Sequence, residues 1–292
     1  MTRRDTLELL TLAAIWGGSF LFMRVAVNDF GPLALAFVRV AGAAAVLLAW
    51  LAWQRGTPAM LSHWRGLLWV GLLNSVLPFA LFNFAAQVMT AGLMSIFNAA
   101  TPMFGALVAW AWLKHRPTGW RAAGLVLGFV GVVGLVWHQA AFRTDPHSVS
   151  NALATLACVL ATVCYAVSAN YTRERLASAP PLAVATGSQM AATLVLAPLA
   201  WWWWPAQAPS TGSWAAAMVL AVLCTGVAYW LYFRLIAHAG SANTMTVTYL
   251  IPVFALAWGG LFLGEAVAAS TLIAGVVILC GTALATGLLR PR

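Results

Sequence analysis

The chain has 292 residues, 63% of them hydrophobic and only 7% charged, with a mean hydropathy of +0.88. A water-soluble domain needs a mostly polar or charged surface, so this composition excludes one and leaves a chain built to sit in a bilayer. The formal charge of +9 does not mark a nucleic-acid binder, because no basic cluster with interleaved aromatics stands outside the apolar runs. It follows instead from the Lys and Arg that membrane proteins carry in their cytoplasmic loops.

A hydrocarbon core takes about 20 apolar residues per helix. Ten such runs follow one another, at 7–27, 33–53, 64–84, 92–113, 119–138, 149–170, 181–203, 213–236, 242–263 and 267–289. Each is predicted to be a helix, since an open strand would leave backbone groups unpaired in lipid and barrel-type alternation is absent. The first run starts directly after Arg3 and Arg4 and is long enough to span, so it reads as a retained span, not a cleaved leader. Trp50, Trp53, Trp64, Trp112, Trp120 and Trp137 fall near span ends, and Trp201 to Trp204 end the seventh span, as anchors at headgroup level. In the fifth span Gly124, Gly128, Gly131 and Gly134 form a small-residue line, and Gly275 and Gly281 do so in the tenth. Small faces allow close helix approach. Packing within one chain is the preferred reading and contact with a second copy the alternative, so a monomer or weak homodimer is expected. Cys158, Cys164, Cys224 and Cys280 lie inside spans without CxxC pairing and read as small core residues.

Lys and Arg orient the spans. With the N-terminus inside, twelve fall on the inner side, Arg24 and Arg143 fall outside, and Arg39 lies within a span. Both termini are therefore predicted to be cytoplasmic. The chain divides into two halves, 1–140 and 149–292, with weak internal likeness. Pro102, Phe104 and Leu113 recur as Pro252, Phe254 and Leu263, and Trp16, Ser19 and Arg24 match Tyr165, Ser168 and Arg173. Ala91-Gly92 recurs as Ala239-Gly240. Five spans per half is odd, so the second half enters the membrane from the opposite side. Such inverted repeats place a substrate site near the midplane, between the halves. The predicted fold is an all-α integral membrane protein of ten helices in two inverted five-helix repeats.

Short motifs carry a family likeness. They are Trp16-Gly17-Gly18-Ser19-Phe20, Ala91-Gly92, Asn98-Ala99-Ala100-Thr101-Pro102, Tyr249-Leu250-Ile251-Pro252-Val253-Phe254 and Gly264-Glu265. With them the chain resembles, over nearly its whole length, the EamA-type members of the drug/metabolite transporter superfamily. Within that family it is most similar to the bacterial exporters of aromatic amino acids. The resemblance implies ten helices, an inner-membrane location and export of small metabolites. One departure stands out. The family often has an acid before the proline that closes the fourth helix; here the run is Lys114-His115-Arg116-Pro117, whereas the second half keeps Glu265.

A polar group inside a membrane is costly and tends to face a cavity or another helix. A proline inside a helix also frees the carbonyl four residues earlier. Pro78, Pro102 and Pro252 therefore free the carbonyls of Asn74, Asn98 and Thr248 and are expected kinks. Helical spacing groups Ser75, Phe79, Asn83 and Gln87 on the third span, Ser95 and Asn98 on the fourth, Thr225, Tyr229 and Tyr232 on the eighth, and Thr244 and Thr248 on the ninth. Trp16, Ser19 and Tyr165 add aromatic and hydroxyl groups from the first and sixth spans. The expected substrate-binding set is Trp16, Ser19, Asn74, Phe79, Asn83, Ser95, Asn98, Tyr165, Tyr229, Tyr232, Thr244 and Thr248. Such a cavity suits an apolar or aromatic body with a zwitterionic head, held by amides or freed carbonyls. For any single Tyr or Trp, plain packing is an equal reading. Arg39 either meets a substrate carboxylate or, as the preferred reading, snorkels outward or pairs with Asp29.

The six acids Asp5, Glu8, Asp29, Asp145, Glu174 and Glu265 all avoid mid-membrane, so no buried acid relay for proton coupling is expected. The five histidines sit near span ends without acidic partners at helical spacing, and no nucleophile, acid–base pair or metal set converges. The sequence therefore reads as a secondary exporter of amino acids or related metabolites, with a broad exporter of drugs or organic cations as the alternative. It is not read as an enzyme, and no cofactor or metal is expected.

Overall fold

A computed structural model describes residues 2–114, 116–141, 148–266 and 268–288. Arg143, Asp145, His115, His147, Arg290 and Arg292, used above for orientation and chemistry, lie outside the described residues. The described residues form helices α1 (Arg3–Trp53), α2 (Thr57–Ser62), α3 (Trp64–Ala86), α4 (Ala91–Ala99), α5 (Thr101–Leu113) and α6 (Gly119–Ala141). They continue with α7 (Ser148–Arg175), α8 (Pro181–Trp202), α9 (Thr211–Ala239), α10 (Ser241–Thr244), α11 (Val247–Leu263) and α12 (Ala269–Thr286). Among the described residues there is no strand. Eight apolar helices, counting α4 and α5 as one, are long enough to cross a bilayer, and α11, at 17 residues, is a shorter apolar one. The chain is a multi-pass membrane protein.

α1 holds two passes. Its 51 residues would run about 76 Å at 1.5 Å per residue, over twice a hydrocarbon core of about 30 Å. Gly31 breaks it at φ 72°, ψ 164°, immediately before Pro32. A backbone with positive φ is open to glycine and costly for other residues. Met23 and Arg39, eight residues to either side, touch through Sδ and Nη1 at 3.8 Å, so the two arms run side by side. Asn83 was expected on a cavity wall. It is buried and donates from Nδ2 to the Pro32 carbonyl at 3.0 Å, which satisfies the backbone at this turn.

The fourth pass is broken at Ala100, between α4 and α5, where Pro102 stands in the first turn of α5. The ninth is broken at 245–246, between α10 and α11, and Pro252 lies within α11 without ending it. Pro78 opens a regular stretch of α3 that follows a wide π turn over Leu72–Val76. α9 contains a second π stretch over Val219–Val227.

Lipid supplies no hydrophobic force between helices, so their contacts rest on close packing. Gly17 shows why the first span carries a glycine at that position. A Cβ there would lie 2.7 Å from Phe254 Cβ and 2.9 Å from the Ala255 nitrogen, both on α11. The Trp258 indole donates to the Ala14 carbonyl at 3.0 Å across the same seam. Gly124, Gly128 and Gly131 of the fifth span pack against the tenth span around Gly281 within the chain, whereas Gly275 faces Ile96 on α4. A Cβ on Gly124 would strike the Ala285 backbone, and one on Gly281 would strike the Gly128 backbone. Gly134 meets nothing and takes no part in this seam. The tryptophans at 53, 64, 112, 120, 137 and 201–204 are exposed at helix ends, as headgroup anchors would be.

Candidate functional site

One cavity of about 280 Å³ opens between the helices. Nine of the twelve residues expected there line it: Trp16, Ser19, Asn74, Phe79, Asn98, Tyr165, Tyr229, Tyr232 and Thr248. The two arms of α1, together with α3, α4, α7, α9 and α11, each contribute to the wall. Its aromatic part is built from Trp16 against Tyr232, ring centroids 5.3 Å apart, and Phe82 stacked on Tyr165 at 6.2 Å. Its polar part is a chain across the two halves, in which Asn74 Nδ2 donates to the Tyr229 hydroxyl at 3.1 Å. A phenol oxygen that accepts in this way still has its own proton to donate.

Three expected residues are not on this wall. Asn83 holds the Gly31–Pro32 turn. Ser95 is buried and donates to the Gly92 carbonyl at 2.6 Å. Thr244 is buried and donates to the Gly240 carbonyl at 2.9 Å. Short hydroxyl side chains in helices commonly back-bond in this way. The Asn98 carbonyl freed by Pro102 is also taken, by the Thr101 hydroxyl at 2.7 Å, so it is not a bare acceptor for a substrate.

The correction at Arg39 is larger. It neither snorkels nor reaches Asp29, whose carboxylate accepts from Ser210 N at 3.0 Å and from the Ser210 and Ser213 hydroxyls at 2.7 Å each. Arg39 is 6% exposed and lines the cavity. Its Nε donates to Thr225 Oγ1 at 3.0 Å, and its guanidinium carbon lies 3.8 Å from the Phe79 ring centroid. Thr225 in turn donates to the Leu220 carbonyl, five residues back, at 2.9 Å, which is the spacing of the π stretch. That bond consumes the hydroxyl proton and leaves a lone pair for Arg39. Sequence reasoning did not place Thr101, Phe20, Met23, Phe82 or Met245 on the wall, where the structure puts them. A legible signal existed for Arg39, since it is the one basic residue well inside a predicted span, away from the span ends.

The two ends of the cavity differ. Met23 and Phe82, at one end, are each 2% exposed. Beside Met23, Arg24 Nε lies 3.2 Å from Glu265 Oε1, and Arg24 Nη1 donates to the Ala86 carbonyl at 2.9 Å. The Glu265 carboxylate also accepts from the Ala91 nitrogen, at 2.9 Å to Oε2 and 3.1 Å to Oε1. It thereby caps α4, where a negative charge meets the positive end of the helix dipole. One acid thus ties the first span, the start of the fourth and the end of the ninth. At the other end Met245 lines the cavity and is 49% exposed. On that side Glu8 Oε1 sits 3.1 Å from Arg4 and 3.2 Å from Arg234, away from the wall.

The chain matches the EamA-like transporter family in two segments, residues 7–137 and 152–287. It is 27% identical over 296 residues to an uncharacterized transporter of Archaeoglobus fulgidus, with 98% of each chain covered. It is 26% identical to the uncharacterized transporter YvbV of Bacillus subtilis, over 94% of this chain and 89% of that one. Uncharacterized transporter sll0355 of Synechocystis is also 26% identical, over 90% and 83%. A crystal structure with 20% sequence identity superposes with a TM-score of 0.66 over 99% of this chain and 98% of its own, which is a likeness of fold.

Proposed function

We propose that this chain, which belongs to the EamA-like transporter family, exports amino acids or related small metabolites, aromatic ones foremost, across the bacterial inner membrane by alternating access. That it is a transporter and not an enzyme follows from the family. The substrate class rests on one observation, the cavity wall in which Trp16, Tyr232, Phe82 and Tyr165 stand beside the Asn74–Tyr229 pair. Flat rings suit an aromatic body, and the few placed polar groups suit its head. An exporter of organic cations would be served by an acid on the wall. Among the described residues the wall carries none, and it carries Arg39.

The two halves, 1–140 and 149–292, are read as inverted repeats that rock about this cavity. Two features support that reading: the family matches the chain twice, and the π stretches fall in the third and eighth passes, about half the chain apart. The excess of Lys and Arg supports a cytoplasmic side for both termini, and the exposed Met245 end of the cavity is read as its mouth on that side. The state described here is then open inward and closed outward by Glu265.

The test is uptake of labelled phenylalanine, tryptophan, threonine and alanine into liposomes holding the purified protein, with empty liposomes and Asn98→Ala as controls. Uptake of the aromatic pair, reduced by the substitution, is expected. Equal uptake of all four would make it a general metabolite carrier, and uptake of none would refute the amino-acid reading.

A further inference from the structure

We infer that Arg39 is the anchor for a carboxylate on the transported solute, so that the cavity takes carboxylate-bearing molecules and rejects their amine counterparts. The inference rests on the reading of this cavity as the transport site and names the chemistry that site selects.

The argument starts from an unmatched charge. A guanidinium stays protonated in proteins and offers five N–H donors in a flat fork. Arg39 keeps that charge at 6% exposure inside an apolar bundle. Buried charges are paired or coordinated as a rule, because an isolated ion in low dielectric is costly. Yet among the described residues its partners are all neutral: the Thr225 hydroxyl at 3.0 Å, the Met23 sulfur at 3.8 Å and the face of Phe79. A thioether is a weak acceptor, so most of the fork has no strong partner.

The acids among the described residues do not supply the missing charge. Among the described residues no carboxylate lies within ion-pair distance of Arg39. Asp5 is bound by Thr2 and Asp29 by Ser210 and Ser213. Glu8 pairs with Arg4 and Arg234, Glu174 with Arg173, and Glu265 with Arg24. Each is engaged elsewhere. The guanidinium faces the cavity, whose wall brings Asn74, Tyr165 and Tyr229 to the same chamber. A carboxylate accepts two parallel N–H bonds from such a fork, which gives direction as well as strength. Its charge would complete the pair that the protein leaves open. A purely structural Arg39, bridging the second arm of α1 to α9 through Thr225, would not depend on what the solute carries.

The test therefore varies the solute. Wild-type protein in liposomes takes up labelled phenylalanine in competition with phenylpropionate, which lacks the amine, and with phenethylamine, which lacks the carboxylate. Tryptophan, indolepropionate and tryptamine form a second series. The acids are expected to compete at least thirtyfold better than the amines, on the order seen when one partner of a buried charge pair is removed. Arg39→Gln is expected to bring the acids down to the level of the amines, and Arg39→Lys to restore part of the difference. Equal competition by acids and amines in the wild type, or an unchanged preference in Arg39→Gln, overturns the inference. If Arg39→Gln does not fold, the wild-type series still decides. If no amino acid is taken up, the proposed function fails, and the shift in melting temperature of the purified protein tests Arg39 separately. Stabilisation by the carboxylates and not by the amines then upholds the anchor, and no response to any carboxylate refutes it.

Discussion

Replacing Glu265 by Gln keeps the size of the side chain and one oxygen for the Ala91 nitrogen, and removes the charge. Arg24 then loses its counter-ion, and α4 loses the anion at its N-terminus. A hydrogen bond to a charged group contributes about 1.5–3 kcal/mol and a neutral one about 0.5–1.5, so the exchange costs about 1–2 kcal/mol. The Arg24 side chain is 27% exposed and that of Glu265 8%, so solvent screening places the value toward the lower figure. If these contacts are made only with the outer end closed, the same energy shifts the inward–outward equilibrium about fivefold to thirtyfold, at about 1.4 kcal/mol per factor of ten. The assay is a cavity cysteine, Thr248→Cys, in a background where Cys158, Cys164, Cys224 and Cys280 are replaced. A membrane-impermeant maleimide is added to either side of oriented vesicles. The parent is expected to label from the cytoplasmic side, and Glu265→Gln to raise labelling from the opposite side by that factor. Arg24→Gln should act alike, and the two changes together should add little, since they remove one interaction. An unchanged labelling pattern in Glu265→Gln, or a parent that labels mainly from the outside, would refute the assignment of this contact as the closing one.

Three further outcomes follow from the packing and the wall. Gly17→Ala places a Cβ against backbone and Cβ atoms of α11 that cannot move aside, so thermal denaturation in detergent should show a loss of about 1–3 kcal/mol. Gly281→Ala should be similarly damaging, because its Cβ meets the Gly128 backbone, whereas Gly134→Ala faces open space and should leave the melting temperature unchanged. Tyr229→Phe removes the acceptor for Asn74 and a donor toward the cavity. In liposome transport it should raise the half-saturation concentration about twofold to tenfold, as for loss of one neutral hydrogen bond, with little change in the maximal rate.

The passes were legible because hydrocarbon thickness and backbone satisfaction leave few alternatives, and even the doubling back of α1 fell between the predicted spans at Gly31. The wall was legible in part, at Trp16, Phe79, Tyr165, Tyr229, Tyr232, Asn74 and Asn98 but not at Phe20 or Phe82, since large or polar groups inside a span need a partner. What spacing did not carry is phase. On α3 the expected face ran through Ser75, Phe79 and Asn83 at steps of four. The π turn at Leu72–Val76 slips that phase, so Asn74 and Phe79 face the cavity. Ser75 instead accepts from Gln189 Nε2 at 2.9 Å, and Asn83 turns to Pro32. Nor did spacing carry depth along a helix. Ser95 and Thr244 are on plausible faces but spend their protons on their own helices. Arg39 was drawn toward Asp29 because an acid and a base near one membrane surface invite pairing. What decided otherwise is that Ser210 and Ser213, some 180 residues away in sequence, reach Asp29 first.

The wide turns in α3 and α9 also bear on how such a protein changes its preferences. A regular helix advances about 100° per residue, so losing the extra residue of a π turn would rotate everything beyond it by about that angle. In α9 that would carry Tyr229 and Tyr232 off the wall together, and in α3 it would do the same to Phe79. A single-residue deletion could therefore exchange a whole panel of the cavity at once, with no substitution in it. Relatives that handle different cargo need not differ at the contacting residues themselves; a gap of one position upstream is a sufficient route, and alignments that treat such gaps as noise would overlook it.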